Sequence, residues 1–157
     1  MLSRNEWDPL KTVIVGIADD AKIPVLDPSL RIVNYADKKH VSEIPYSGLY
    51  PKQVIDESNE DLETLALTLQ SLGVEVIRPD PLNFQVHDGL YNYCPRDRLL
   101  VYGDTIVDPA MMYPCRDMEY QSYIDIISDA DHIYHMPRKE GMVLDAANVL
   151  QIGRAHV

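Results

Sequence analysis

Apolar and polar residues in the first half of the chain follow two different periods. Residues 12–15 form a continuous β-branched run that ends at Gly16, which predicts a buried strand. Residues 51–73 predict a helix, because a proline favours the start of a helix and a glycine its end. Residues 74–77 predict a second short strand. The helix carries apolar residues at helical spacing, which predict a core-facing stripe: Leu62, Leu65, Ala66, Leu69 and Leu72.

The second half of the chain repeats this order of elements. Residues 97–109 predict a hairpin around a central Gly-Asp dipeptide, and residues 131–137 predict a strand. Between them, residues 115–130 predict a helix with one apolar side. Residues 139–153 begin a third unit, and residues 18–50 predict a long covering loop. Strands that alternate with helices predict the α/β class, with a weak internal repeat.

Composition narrows the class of partner. The 157 residues carry a formal net charge of -11, which argues against nucleic acid or an anionic membrane as the main partner. No apolar run approaches the ~18 residues of a membrane span, and no signal peptide is visible. The two cysteines are too few for a disulfide framework. We therefore expect a cytoplasmic protein without nucleic acid or membrane as a partner.

Two aspartates stand in positions that call for an explanation. Asp97 precedes an apolar strand and lies between Arg96 and Arg98, so it is either a guanidinium ligand or, as the spacing favours, a turn acid held by a neighbouring arginine. Asp145 interrupts a short apolar run, where a carboxylate needs hydrogen bonds or a cation. It is either the acid that orients a catalytic histidine or a turn-capping residue, and these residues alone leave both interpretations open.

Other candidate groups are weaker. His132 and His135 border one predicted strand at a spacing that places them on opposite faces, which disfavours a shared metal ion. Cys94 and Cys115 have no neighbouring base and are typical of small buried residues. The glycines form no phosphate-binding pattern, and no zinc spacing occurs. We expect no cofactor and no metal.

Five motifs together resemble the amidinotransferase family, which includes the glycine and inosamine-phosphate amidinotransferases. They are, in chain order, NEWDPLKTVIVG, GVEVIRPDP, YNYCPRDRLLVYGDTIVDP, RDMEY and LDAANVLQIG. The resemblance runs from Asn5 to about Ile152, nearly the whole chain. Its most specific parts are the first motif, the CPRD sequence and the DAAN sequence.

The resemblance implies a pentein fold, a five-module α/β propeller of ββαβ units. This chain would form about the first two modules and the start of the third. The implied domain is therefore a truncated pentein over residues 1–150. Residues 151–157 read QIGRAHV, which matches the translation of a common sequencing-library adapter, so we expect that segment to be an artefact of the sequence read.

The resemblance also implies a reaction. An amidino group would move from L-arginine to an acceptor amine through a covalent intermediate on a cysteine, in an enzyme that acts as a homodimer. Asp145 matches the family aspartate that pairs with the catalytic histidine, and Asp97 matches the aspartate that binds the substrate guanidinium. Arg116 and Glu119 match a pair that we interpret as structural. The histidine and the nucleophilic cysteine would lie in later modules, so the fragment alone should be inactive.

Two alternatives remain. One is an arginine-hydrolysing pentein such as a deiminase, in which water replaces the acceptor amine. The other is a non-catalytic arginine-binding fragment. The acceptor itself stays open, because Asn148 stands where the glycine amidinotransferases often carry a second acid.

Overall fold

The structure, a computed structural model, describes residues 2–23, 48–84, 91–139 and 141–152. Most of the predicted covering loop lies outside these residues. Two 3-10 helices, Pro114–Tyr123 and Ala146–Asn148, accompany the strands and α-helices. The strands and α-helices are, in chain order, β1 (Thr12–Ile14), β2 (Lys22–Ile23), β3 (Gly48–Leu49), α1 (Lys52–Ser71), β4 (Glu75–Ile77), α2 (Pro95–Arg98), β5 (Leu100–Tyr102), β6 (Thr105–Asp108), α3 (Ile124–Ile127) and β7 (His132–His135).

The first half of the chain forms the predicted strand–helix–strand unit. Strand β1 pairs with β4 in parallel, with Val13 opposite Val76, and α1 lies between them in the chain. A parallel pair requires such a crossover, because the second strand must begin at the same end of the sheet as the first. Strands β2 and β3 pair with each other in an antiparallel ladder at the two ends of the predicted loop.

Helix α1 confirms the start and stop signals in its sequence. Pro51 precedes the first helical residue, and Leu72 follows the last. Gly73 then takes a left-handed φ of 83°. Its N–H bonds the carbonyl of Gln70, and the N–H of Val74 bonds that of Leu69, both within 3.1 Å. These two bonds form a Schellman motif, which satisfies the last carbonyls of the helix.

The predicted core-facing stripe of α1 is wrong in extent. Ala66 is the buried residue of this helix, whereas Leu65 is 48% exposed and Leu72 is 74% exposed. The sheet beneath α1 has two strands of three residues each, and strands lie ~5 Å apart. A helix with side chains is ~10 Å wide, so this sheet covers only a narrow part of its surface.

The second half forms a three-stranded sheet. Strands β5 and β6 make the predicted hairpin, with Tyr102 opposite Thr105 and Gly103 at a positive φ in the turn. Strand β7 then joins β6 in parallel. The main hydrophobic core lies beside this sheet and comprises Leu99, Ile106, Tyr123 and Ile127. The α/β class is confirmed, whereas the number of modules stays a prediction.

The segment predicted as one helix over residues 115–130 has a different backbone. It forms a 3-10 helix over Pro114–Tyr123 and only then one α-helical turn, α3. A 3-10 helix has three residues per turn, so side chains three positions apart are stacked above one another. Arg116 and Glu119 pair across this spacing, and the hydroxyl of Ser122 donates to the carbonyl of Glu119 at 2.8 Å.

Gly16 sets how closely the segment before α2 can approach strand β1. A side chain at position 16 would overlap the carbonyl of Asn92 and the backbone of Tyr93. Beside it, the N–H of Ile17 donates to the Asn92 carbonyl at 3.0 Å. The buried Asn92 amide also donates to Ser122 Oγ at 2.5 Å and accepts a hydrogen bond from the Tyr123 hydroxyl. This network anchors the stretch that leads into the candidate site.

Gln151 packs onto the second sheet. Its side-chain amide donates to the carbonyl of Val101 at 2.5 Å, and the residue is 5% exposed. Residues 153–157 lie outside the described residues. The boundary predicted after residue 150 therefore stays a prediction. In the described ranges, no helix combines the length and the apolar composition that a membrane crossing requires.

Candidate active site

Two short helical segments meet where the candidate acids lie. Helix α2 carries Asp97 and contacts the 3-10 helix Ala146–Asn148, which follows Asp145. Arg96 joins the two segments, because its Nη2 donates to the carbonyl of Val149 at 2.6 Å. The two aspartates, 48 positions apart in the sequence, thus belong to one region of the molecule.

Glu6, in the N-terminal segment, contacts both sides of this junction. Glu6 Oε1 accepts from Arg96 Nη2 at 2.9 Å and from the backbone N–H of Gln151 at 3.2 Å. The side chains of Arg96 and Glu6 are 44% and 35% exposed, so their ion pair is solvated. We call the group of Glu6, Arg96, Val149 and Gln151 the junction clamp.

Asp97 is held by an arginine, though not by either of its neighbours. Arg116 Nη1 donates to Asp97 Oδ2 at 2.9 Å. Arg96 instead belongs to the junction clamp, and the buried Arg98 pairs with Asp108 at 2.7 Å. The interpretation that a flanking arginine holds Asp97 is therefore wrong, since its partner lies 19 positions along the chain. The other oxygen, Oδ1, accepts none of the hydrogen bonds found among the described residues.

Arg116 is itself fixed by Glu119. Arg116 Nε lies 2.9 Å and 3.1 Å from the two carboxylate oxygens of Glu119, and Nη2 lies 2.8 Å from Oε2. The two side chains are 5% and 1% exposed. A paired guanidinium and carboxylate of this kind is planar and directional. Arg116 therefore has one defined orientation, and it presents its remaining Nη1 to Asp97.

A pair of tyrosines covers this network. The guanidinium carbon of Arg116 lies 4.8 Å from the ring centre of Tyr91, which is a cation–π distance. Tyr93 stacks on Tyr91 with ring centres 4.0 Å apart. Burial raises the pKa of both hydroxyls above the ordinary value, although the charge of Arg116 opposes this rise. Both tyrosines are therefore neutral at physiological pH.

The charges of the network follow from its burial. Burial raises the pKa of Glu119 to about 7, although its hydrogen bonds with Arg116 and the Arg116 charge pull it down. Burial also opposes the charge on Arg116, but the hydrogen bonds and charge of Glu119 outweigh that effect and raise the Arg116 pKa. Arg116 is thus a permanent cation beside Asp97.

Asp145 is held in a simpler way. Its backbone is extended, and its Oδ1 accepts from the N–H of Ala147 at 2.9 Å, which caps the 3-10 helix. The turn-capping interpretation is thus observed, and capping leaves the second oxygen available for another partner. In the described part of the chain, no basic side chain forms an ion pair with Asp145. Its charge is therefore uncompensated there.

Cys94 lies near both acids. Burial raises the pKa of its thiol to about 11, and the charges of Asp97 and Asp145 contribute to that rise in this order. A thiol of this kind carries little thiolate at neutral pH, which does not suit a nucleophile. Cys115 is buried.

His135 of β7 contacts Asp108 and the ring of Tyr120 and neither of the two candidate acids. His135 Nδ1 is 2.9 Å from Asp108 Oδ2, and both histidines of this strand are exposed. Among the described residues, no group of three potential ligands could hold a metal ion. The candidate site is therefore the pair of acids with the Arg116 network. Its chemistry suits a cationic ligand, because the outward-facing groups are carboxylate oxygens.

The link between Asp97 and Arg116 could not be read from the sequence. The RDMEY motif places Arg116 three residues before Glu119, which indicates a helical pair and nothing beyond it. The contact with Asp97 depends on how the 3-10 helix packs against α2. The only sequence signal of this contact is that Asp97 in the CPRD motif stands before the arginine–glutamate pair of the RDMEY motif.

No protein-family model matches the sequence. Solved structures do share the fold. The chain superposes on an inosamine-phosphate amidinotransferase from Streptomyces griseus with a TM-score of 0.78 and 35% identity, over 95% of this chain and 52% of that chain. An amidinotransferase of the saxitoxin biosynthetic pathway from Microseira wollei gives a TM-score of 0.80 over 98% of this chain and 55% of that chain. Its 23% identity shows a common fold alone.

Sequence relatives define the family. Inosamine-phosphate amidinotransferase 1 of Streptomyces griseus is 37% identical over an alignment of 181 positions, gaps included, that covers 95% of this chain and 52% of the relative. The mitochondrial glycine amidinotransferase of Gallus gallus is 33% identical over 135 residues, which cover 81% of this chain and 32% of the relative. The chain belongs to the amidinotransferase family, as its motifs predict. It spans about half the length of the inosamine-phosphate relatives it matches.

Proposed function

We infer that this chain is the N-terminal part of an arginine-dependent amidinotransferase and that it supplies the acidic side of the active site. The observation that carries this inference is the meeting of Asp97 and Asp145 in one region of a chain that is homologous to amidinotransferases over 95% of its length. The motif positions of the two acids, distant in sequence, support a shared site.

Asp97 is proposed to bind the guanidinium of L-arginine. Its Oδ1, which accepts no hydrogen bond from a described residue, can accept an N–H from that group while Oδ2 stays on Arg116. Such charge-assisted hydrogen bonds are about twice as strong as neutral ones, and they hold the reacting carbon in place. Asp145 is proposed to orient a histidine and to stabilise its protonated form. The uncompensated charge of Asp145 in the described residues supports that role.

The proposed reaction has two halves. A cysteine thiolate attacks the guanidino carbon, the bond from this carbon to the δ-nitrogen breaks, and ornithine leaves after the histidine gives a proton to that nitrogen. The acceptor amine then attacks the same carbon, loses a proton to the histidine, and the thiolate leaves. The cysteine and the histidine are proposed to lie outside this chain, because the resemblance places both in later modules. The raised pKa of Cys94 and the burial of Cys115 agree with this placement of the cysteine.

The test is product analysis with the protein encoded by the complete reading frame. L-arginine is supplied with and without an amine acceptor, and ornithine, citrulline and amidinated amine are measured by mass spectrometry. We expect ornithine turnover only with an acceptor. Sustained citrulline formation from arginine alone would replace amidino transfer with hydrolysis, and the absence of any arginine chemistry would leave a binding role.

Four further measurements test related proposals. The 157-residue chain alone should release no ornithine, and turnover by this chain would place the missing groups within it. The homodimer and the cytoplasmic location stay predictions, as does the boundary after residue 150. Light scattering on the full-length protein tests the first, imaging in the source cells tests the second, and resequencing of the locus tests the third.

A further inference from the structure

Asp97 does not meet its proposed ligand as an isolated carboxylate. One oxygen is already occupied by a guanidinium that belongs to the protein, at 2.9 Å. A carboxylate with both oxygens free can bind an arginine through two parallel hydrogen bonds. Here Arg116 already takes one acceptor position on Oδ2, so Oδ1 is the oxygen that no described residue uses. The resident arginine therefore sets how the substrate guanidinium can be bound.

Arg116 also controls the rotation of the carboxylate. The last torsion of an aspartate side chain is broad, so its own rotamer preference does not fix the plane of the two oxygens. Asp97 sits on α2, a single four-residue turn, and its side chain is 21% exposed. The hydrogen bond from Arg116 is the described contact that selects one plane. The bond is directional because Arg116 is itself locked by its contacts with Glu119.

The rest of the network is built to keep Arg116 in this position. Glu119 is 1% exposed and takes three of the guanidinium contacts, while Tyr91 covers the guanidinium at 4.8 Å. Above about pH 7, where Glu119 is mostly ionised, the group of Asp97, Arg116 and Glu119 has one net negative charge. That charge complements the single positive charge of a substrate guanidinium. The neutral ureido group of citrulline would leave it uncompensated.

We propose that Arg116 is a positioning residue for the amidino donor, held by Glu119, and that it fixes the plane in which the Asp97 carboxylate accepts from the donor guanidinium. The proposal rests on the proposed function, in which Asp97 binds arginine. It adds a positioning role to Arg116 and Glu119, a pair interpreted above as structural more than catalytic. The effect of Arg116 on the reaction should then pass through Asp97.

The experiment is a double-mutant cycle in the full-length protein. Arg116→Lys keeps the charge, but one ammonium cannot serve Glu119 and Asp97 with the same planar geometry. It is combined with Asp97→Asn, and kcat/KM is measured separately for arginine and for the acceptor amine. The matched control is Arg138→Lys, because Arg138 is an arginine of the same half that pairs with the partly exposed Asp117 at 2.7 Å.

We expect Arg116→Lys to lower kcat/KM for arginine about tenfold, which is the typical effect of losing one charged hydrogen bond. The kcat/KM for the acceptor should change less than about twofold, as should both values in the control. In the Asp97→Asn background, Arg116→Lys should have almost no further effect, because residues that act as a unit are not additive.

The outcomes separate the two proposals. If Asp97→Asn leaves kcat/KM for arginine unchanged, Asp97 does not bind the donor, and the role given to Asp97 in the proposed function is wrong. If Asp97→Asn lowers it but Arg116→Lys lowers it by the same factor in both backgrounds, the positioning role alone is overturned. If Arg116→Lys does not fold, Glu119→Gln loosens Arg116 at constant shape. Failure of both to fold would make Arg116 a structural residue and would also overturn the proposal.

Discussion

The two candidate acids are held in opposite ways. Asp97 is tied to a buried cation from a segment 19 positions away, at the end of a network that includes Glu119. Asp145 is tied to the backbone of its own turn, with no described cation beside it. The first acid therefore has its plane fixed by tertiary structure and part of its charge compensated. The second has its position fixed locally, while its charge is left for a partner from elsewhere.

The largest expected effect is on Asp145. Asp145→Asn in the full-length protein should lower kcat for ornithine release about 10³- to 10⁴-fold, by analogy with the orienting acid of a catalytic triad. Asparagine is as good a cap as aspartate, so the melting temperature should hardly change. Steady-state kinetics and thermal unfolding check the two parts. A kcat within tenfold of the wild type would show that the charge at this position is not used in catalysis.

The next effect concerns donor binding at Asp97. Asp97→Ala removes Oδ1 and the anchor of Arg116 together, so kcat/KM for arginine should fall about 100-fold. The kcat/KM for the acceptor amine should fall much less, because it reports the second half of the reaction. Asp117→Ala is the control, since it removes an acid from a partly exposed ion pair. Equal losses for both substrates would contradict a role specific to the donor.

Cys94 lies close enough to both acids to report on each of them. Its pKa of about 11 means that, at pH 8, alkylation should be about 100-fold slower than for an ordinary thiol, and its rate should keep rising up to pH 11. Asp97→Asn should accelerate this alkylation more than Asp145→Asn, because the Asp97 charge raises the Cys94 pKa more. Iodoacetamide labelling with quantification of the Cys94 peptide measures the rates. The reverse order would mean that Asp145 is the nearer acid in solution.

The smallest expected difference is in stability. Asp97→Ala should lower the free energy of unfolding by about 2 kcal/mol, because Arg116 loses a charged hydrogen bond in a mostly buried setting. Asp145→Ala should cost about 1 kcal/mol, the usual value for loss of a helix cap. Denaturant unfolding of the two variants measures both. If Asp145→Ala is the more damaging change, local capping matters more than the tertiary network.

Local signals were enough to predict helix α1 and the hairpin of β5 and β6. Pro51 and Gly73 mark the ends of α1, and Gly103 marks the hairpin, because each residue has a backbone preference that acts within one turn of the chain. The backbone of Pro114–Tyr123 was not predictable in the same way. Its apolar spacing fits an α-helix, and the 3-10 form is selected by contacts such as those of Glu119 and Ser122.

The site was less predictable than the fold. Spacing alone favoured a turn role for Asp97 and left two interpretations of Asp145, and only the family resemblance gave them functional roles. The partner of Asp97 depended on tertiary packing, since Arg96 and Arg98 were nearer in sequence and Arg116 was the one in contact. The exposed leucines of α1 show the same limit, because periodicity indicates an apolar face without showing what covers it.

The junction clamp has a consequence for how the two acids are spaced. Each acid is anchored by contacts of its own, and the segments that carry them are joined by the bond from Arg96 to the Val149 carbonyl and, through Glu6, by a solvated ion pair. Dissolved ions screen such a pair strongly and leave a buried pair nearly untouched. High ionic strength should therefore alter the separation of the two carboxylates before it alters the orientation of either one. The distance between Asp97 and Asp145 is therefore the feature of the site that should respond first to the ionic strength of the solution.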